Sequence, residues 1–158
     1  MITKTAKHQY YFEVQLNWKG GSKGLLSAAD VKGTIEVATP PEFTGGVQDM
    51  WSPEHLFLSS LSSSYMTTYL AFAEKSRLTI GHFECNAIGE VNVLEGHLEF
   101  TTINLFPKIY VLNEADIPIA NEAMFKTNRH CIIANSVKSH LIHHGEVLID
   151  KHPVNKTG

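Results

Sequence analysis

A cysteine acts as nucleophile, redox centre or metal ligand through its thiolate, so the residues around each thiol decide what chemistry it can do. Cys131 lies in Asn128-Arg-His-Cys131-Ile-Ile-Ala-Asn135-Ser136, where Arg129 and His130 could lower its pKa. The same residues also fit a buried cysteine at a helix start, kept for packing. Cys85, in Phe83-Glu-Cys-Asn-Ala-Ile, sits in a strand-like stretch and reads as an inert, buried thiol. Two cysteines form neither a disulfide framework nor a paired-cysteine metal knuckle. Ser64 ends the run Ser59-Ser60-Leu61-Ser62-Ser63-Ser64. With no Gly-x-Ser-x-Gly elbow and no base nearby in sequence, its hydroxyl is expected to bond a carbonyl one turn back rather than serve as a hydrolase nucleophile. The small side chains of the run also let helices pack closely. His140, His143 and His144 would suit zinc on a helix, but on a strand positions 140 and 144 lie about 13 Å apart, and no acidic or cysteine ligand joins them. No metal and no other cofactor is expected. Gly20-Gly21-Ser22-Lys23-Gly24 is too short for a phosphate loop and reads as a hairpin turn.

These residues must be positioned by helices and strands. Trp51-Ser52-Pro53-Glu54-His55-Leu56 is a helix start: Ser52 can cap, Pro53 suits the first helical position, and Glu54 complements the dipole. From Ser52 to about Lys75 no glycine intervenes, and Leu58, Leu61, Tyr65, Tyr69 and Phe72 recur at helical spacing. Leu56, Phe57, Met66, Leu70 and Ala73 fill other faces, which predicts a central, buried helix. Before it, Tyr10 to Trp18, Gly24 to Ser27 and Gly33 to Ala38 read as strands of an antiparallel sheet that ends at Pro40-Pro41. After it, Gly81 to Leu94 and His97 to Leu112 form a long hairpin around Glu95-Gly96. Asn113 to Asn128 reads as a helix interrupted early by Pro118, Cys131 to about Lys138 as a further short helix, and Leu141 to Ile149 as a closing strand. Strands, helix, hairpin, helices and strand in that order predict an α+β fold.

With 43% hydrophobic and 18% charged residues, a chain of 158 supports one filled core, so we expect a single domain over 1–150 and a frayed tail over 151–158. A net charge of -3, with the 13 Lys and Arg scattered, disfavours nucleic acid as a partner. Met1 to Tyr10 lacks the apolar core of a signal peptide and no segment is long and apolar enough to span a bilayer. A soluble, cytoplasmic protein without a membrane partner is the expectation.

The Pro-Glu helix start and the later cysteine segment resemble the family of osmotically inducible and organic hydroperoxide resistance proteins (OsmC/Ohr). In that family the Pro-Glu start leads to a peroxide-reducing cysteine, and a later Cys-x-x-Ser/Ala-Asn-type segment supplies its partner thiol. The resemblance implies an OsmC-like fold with antiparallel sheets around a central helix, in an intertwined homodimer with active sites at the subunit interface. Carried over position by position, Glu54 matches the acidic residue that holds an arginine, Ser64 occupies the place of the reactive cysteine, and Cys131 matches its partner. The arginine itself falls at Ser22 or Lys23, so Lys23 is the candidate thiolate stabiliser. A serine cannot cycle through a sulfenic acid. The resemblance therefore implies a divergent, stress-associated homodimer that has lost efficient peroxidase activity but keeps an apolar interface pocket around Trp51, Phe57, Leu61, Ser64 and Tyr65, suited to a small apolar or hydroperoxide ligand. The alternative is a peroxide reductase or electrophile scavenger working through Cys131.

Overall fold

A computed structural model of the chain describes residues 8–152, so most of the first ten residues and most of the expected tail lie outside the described residues. The chain divides into two compact units, one ending at Leu56 and the other beginning at Phe57.

In the first unit, β1 (Gln15–Gly20), β2 (Lys23–Ser27) and β3 (Ile35–Ala38) form an antiparallel sheet in that order. Gly20 and Gly21 make the first turn with φ of 99° and 55°, a conformation that glycine enters without steric cost. The first strand was expected to begin near Tyr10. It begins at Gln15 because Gln15 pairs with Ser27, the last residue of β2, leaving residues 10–14 no ladder partner. After β3 the loop folds back on itself: Phe43 N–H donates to Pro40 O at 3.1 Å, Gly46 N–H to Phe43 O at 3.0 Å, and Val47 N–H to Thr39 O at 2.9 Å. It returns to β3 at Trp51, which forms a parallel bridge with Val37 and accepts the Ala38 N–H at 2.9 Å.

Helix α1 (Pro53–Lys75) starts immediately afterwards. Ser52 Oγ accepts the His55 N–H at 3.2 Å while His55 Nδ1 accepts the Ser52 N–H at 3.2 Å. This is a capping box with histidine in place of the usual Glu or Gln, and it satisfies two donors that a helix start would otherwise leave open.

The second unit is built on β4 (Ile80–Leu94) and β5 (His97–Val111), an antiparallel hairpin of two 15-residue arms. Along β5 the residues Ile103, Leu105, Pro107, Ile109 and Val111 are all fully buried, a strict alternation that gives the sheet one core face. Against that face lie Leu61, Tyr65, Tyr69 and Ala73 of α1, spaced by four so that they form a single buried stripe. The prediction of a helix buried on most sides is modified here: Met66 and Leu70 remain 37% and 41% exposed within the chain. Gly89 of β4 marks the closest approach, where a Cβ would sit 2.5 Å from the Phe100 ring and 2.9 Å from Leu58 of α1.

Helix α2 (Ile117–His130) follows a single 3₁₀ turn over Glu114–Asp116. Pro118 does not interrupt the helix as expected; it occupies the first turn, where the missing N–H costs nothing. The second surprise is the end of the chain. Only Ala134–Ser136 winds, as a short 3₁₀ turn, and the closing strand is two strands, β6 (His140–His143) and β7 (Glu146–Ile149). Both pair in parallel with β5, β6 with Thr102–Leu105 and β7 with Lys108–Val111, so this sheet is mixed rather than antiparallel. Pro107 falls in the gap between the two ladders, where its lack of an N–H breaks no pairing on that edge. The fold is α+β, as predicted. Among the described residues no helix is long and apolar enough to cross a membrane.

Ser52→Ala removes both the cap acceptor and the hydroxyl facing His55, and should lower stability by about 1 kcal/mol. Urea unfolding of the two proteins measures this directly, with the exposed Ser63→Ala as the control expected to change the midpoint far less.

Candidate functional site

The second unit brings together Ser64 and Cys131, the two positions that the resemblance matches to the family's thiol pair. Helices α1 and α2 run antiparallel and are linked at three levels: Tyr69 Oη donates to Ala120 O at 3.2 Å, Tyr65 Oη donates to Asn128 Oδ1 at 2.6 Å, and Cys131 Sγ donates to Ser64 Oγ at 3.2 Å. Ala120, Ala123 and Thr127 form the buried face of α2, and their small size permits the close approach that makes these bonds possible. Thr127 spends its hydroxyl on Ala123 O at 2.7 Å. The chain leaves α2 at Cys131, whose extended backbone stops the helix and whose thiol is fully buried.

Ser64 departs from what the serine run predicts. Ser60 bonds Phe57 O at 2.6 Å, Ser62 bonds Ser59 O at 3.2 Å and Ser63 bonds Ser59 O at 2.6 Å, all to carbonyls of their own helix. Ser64 instead faces α2 and accepts the thiol proton of Cys131. The difference is positional: Ser64 precedes Tyr65 on the side of the helix where α2 ends, so a partner from outside the helix is within reach. Arg129 and His130 are exposed at the end of α2, and no hydrogen bond or ion pair among the described residues joins either side chain to Cys131. The arginine's main-chain oxygen accepts Asn135 Nδ2 at 3.1 Å, and the His130 ring lies 5.6 Å from that of Phe72.

Around this pair the surroundings are apolar. Burial pushes the Tyr69 phenol up to about 12 and raises that of Tyr65 still further, with smaller contributions at Tyr65 from Cys85, Tyr69 and Cys131. Cys85 is half-buried; burial raises its thiol to about 11, outweighing a hydrogen bond with the Phe106 backbone. At neutral pH this thiol stays protonated, which is the inert behaviour expected of it. His143 packs its ring 5.9 Å from that of Tyr65, and its Nε2 is buried with no hydrogen-bond partner among the described residues. Sequence reasoning missed this residue as part of the core, since it was weighed only within a histidine cluster. His144 points elsewhere, stacked on Phe106 at 4.6 Å with Nε2 at 2.7 Å from Asn104 Oδ1. Among the described residues no three His, Cys, Asp or Glu side chains are grouped so as to hold a metal ion.

The remaining candidates are distributed as follows. Leu61 and Tyr65 are wholly buried in one core cluster, with Phe57 packed against it. Phe57 also lines a cavity of about 390 Å³ with Phe100, Glu99, Val137 and Lys138, and Lys138 Nζ donates to Glu99 Oε2 at 2.7 Å. Trp51, Glu54 and Lys23 belong to the first unit. Trp51 is 55% exposed. Glu54, second residue of α1, holds a buried Oε2 without a hydrogen-bond partner among the described residues. Lys23 begins β2, is exposed, and enters none of the ion pairs among the described residues. Its neighbour Ser22 donates Oγ–H to Gly45 O at 2.8 Å, which ties the turn to the following loop.

The profile of the OsmC-like protein family matches residues 46–143, more than half of the chain and all of the segment from the helix start through Ser64 to Cys131. The chain belongs to the OsmC-like protein family. Solved structures agree on the fold. An OsmC-like protein of unknown function from Vibrio cholerae is 20% identical, with 89% of this chain and 100% of that one covered and a TM-score of 0.76. An OsmC-like protein from Mycoplasma pneumoniae is also 20% identical, over 90% of this chain and 100% of that one, with a TM-score of 0.72. An organic hydroperoxide resistance protein from Elizabethkingia anophelis is 18% identical, over 91% of this chain and 99% of that one, with a TM-score of 0.71. No curated protein matches the chain.

Burial lowers the pKa of His143 from its ordinary 6.5, helped by nearby His144. Folding therefore favours the neutral ring, and its contribution to stability is complete above pH 6.5 and is lost as pH falls below that value toward the lowered folded pKa. Thermal unfolding followed from pH 7.5 to 5.5 should show declining stability, and His143→Gln should flatten that decline relative to wild type.

Proposed function

We propose that this chain is a divergent OsmC/Ohr-type homodimer, associated with oxidative or osmotic stress in the cytoplasm, that has lost efficient thiol peroxidase turnover and retains an apolar pocket at its subunit interface. The observation that carries this reading is the bond from Cys131 Sγ to Ser64 Oγ, 3.2 Å long, in which a hydroxyl stands where the chemistry needs a second sulfur. In thiol peroxidase turnover a thiolate attacks the terminal peroxide oxygen, the O–O bond breaks, the alcohol leaves and the sulfur becomes a sulfenic acid. A second thiol then condenses with the sulfenic acid, releasing water and forming a disulfide that a dithiol reductant reopens. Ser64 can take neither part. Cys131 alone lacks a partner, and its complete burial weighs against direct attack on a peroxide, which disfavours the alternative reading of Cys131 as a working scavenger.

In this reading Glu54 and Lys23 are what remains of the acid and cation that tune the family's thiolate, and the buried, unpartnered oxygen of Glu54 fits an acid that has lost its cation. Leu61 and Tyr65, expected to line that pocket, are wholly buried in the core of the second unit and cannot wall it, which leaves Phe57, at the 390 Å³ cavity of that unit, as the apolar residue there for a small apolar or hydroperoxide-like ligand. A homodimer is supported by apolar surface that one chain leaves open. Leu16 and Trp18 on the outer strand β1 are 63% and 76% exposed, and Phe12 and Val14 just before it are 93% and 75% exposed. Such surface needs a partner of about 800 Å² per chain.

Two measurements test this. Light scattering at micromolar concentration should give a mass near twice 17.6 kDa; a monomer would remove the dimer and its interface pocket together. With cumene hydroperoxide and a dithiol reductant, wild type should show no turnover above background, and Ser64→Cys should gain measurable, partial activity because a sulfur at that position faces Cys131. Efficient wild-type turnover abolished by Cys131→Ser would overturn the proposal in favour of Cys131 as the working thiol.

A further inference from the structure

The first unit contains a second feature that thiol chemistry does not use. A cavity of about 510 Å³ is lined by Pro41, Glu42, Asp49, Met50, Trp51 and His55, and a recess of about 320 Å³ shares Asp49, Met50 and Trp51 and adds Glu36. The larger volume lies within the range of small-molecule sites, roughly 300–1,000 Å³. Its wall is preformed. The loop bonds from Pro40 to Phe43, Phe43 to Gly46 and Thr39 to Val47 fix one side, and the Trp51 backbone is held by β3 through the 2.9 Å bond from Ala38 N–H. The indole nevertheless remains 55% exposed, with the His55 ring 6.0 Å away edge to face. A rigid backbone presenting an open indole is the arrangement that aromatic recognition requires.

The charge on this wall is of one sign. Glu36, Glu42 and Asp49 enter no ion pair and no side-chain hydrogen bond among the described residues, and no Lys or Arg lines either space. The remaining titratable ring is His55, whose Nδ1 accepts the Ser52 N–H at 3.2 Å and lies 2.7 Å from Ser52 Oγ.

We propose that this cavity binds an organic cation with an apolar body, an aryl- or alkylammonium. The ammonium would sit over the Trp51 face with Glu42 and Asp49 as counter-charges, while Pro41 and Met50 cover the hydrocarbon part. An indole attracts a cation through its π face, and the uncompensated carboxylates reject an anion of the same shape. A bare metal ion fits less well: the described residues offer no grouping of three metal-ligating side chains, and three of the six lining residues are apolar. The site stands on residues 36–55. It does not depend on the reading of Ser64 and Cys131.

The test uses the full chain and benzyltrimethylammonium chloride, with sodium phenylacetate as the anion of similar body. Trp18 is the other tryptophan, so Trp18→Phe isolates the emission of Trp51. Titration should give a saturable change in that emission with the cation and none with phenylacetate at equal ionic strength. Calorimetry on otherwise wild-type protein should show binding weakened about tenfold by the double change Glu42→Gln and Asp49→Asn, and abolished by Trp51→Leu. The two carboxylates are surface groups without partners, so the double variant should keep the wild-type thermal midpoint and remains informative if Trp51→Leu fails to fold. Lack of saturation with the cation, equal binding of phenylacetate, or unchanged affinity in the folded double variant would each overturn the proposal.

Discussion

Two buried phenols set the terms for the second unit. Tyr65 and Tyr69 bring large apolar rings to the face of β5, and burying them without partners for their hydroxyls would offset much of what the rings gain. Both hydroxyls are satisfied from α2, at Asn128 Oδ1 and Ala120 O. The two bonds fix the direction, height and closeness of α2 relative to α1, and therefore decide which residue of the α2 terminus meets Ser64. The small residues Ala120, Ala123 and Thr127 are the other half of this arrangement, since larger ones would hold the helices too far apart for either phenol to reach. The thiol–hydroxyl contact at Cys131 is thus a product of packing decided several residues away.

Much of this was legible in the sequence because it rests on local rules. The Ser52-Pro53 helix start, the Glu95-Gly96 turn and the α+β order follow from capping, turn chemistry and periodicity, all properties of a few neighbouring residues. The failures are tertiary. Tyr10 to Val14 has strand composition but outruns the length of β2, which no local pattern in that segment can report. The ending read as one strand is two, because His144 and Gly145 interrupt the pairing and each half finds its own register on β5. The serine run was read by its commonest behaviour, which holds for Ser60, Ser62 and Ser63; Ser64 differs only through what faces it. The role of His143 was hidden for the same reason, since its neighbour Tyr65 is 78 positions away in the chain.

The electrostatic environment of the second unit is as informative as its geometry. Burial raises the pKa of Tyr65, Tyr69 and Cys85 and lowers that of His143, so all four groups are driven toward their neutral forms. A site built to generate a thiolate would show the opposite tendency, with a cation close to the sulfur. Here the nearest cationic residue in sequence, Arg129, is exposed to solvent. The surroundings of Ser64 and Cys131 are those of a hydrophobic core crossed by a few satisfied polar contacts.

The break at Pro107 has a consequence beyond the sheet's own bonding. A continuous strand along that side of β5 would present a long row of unpaired backbone groups at the edge, a template onto which a strand of another molecule could add. Two four-residue strands separated by the His144-Gly145 corner, opposite Pro107 of β5, offer no such uninterrupted row. The irregularity therefore protects the fold against edge-to-edge association between unrelated copies, and it does so without a charged gatekeeper in the middle of the sheet.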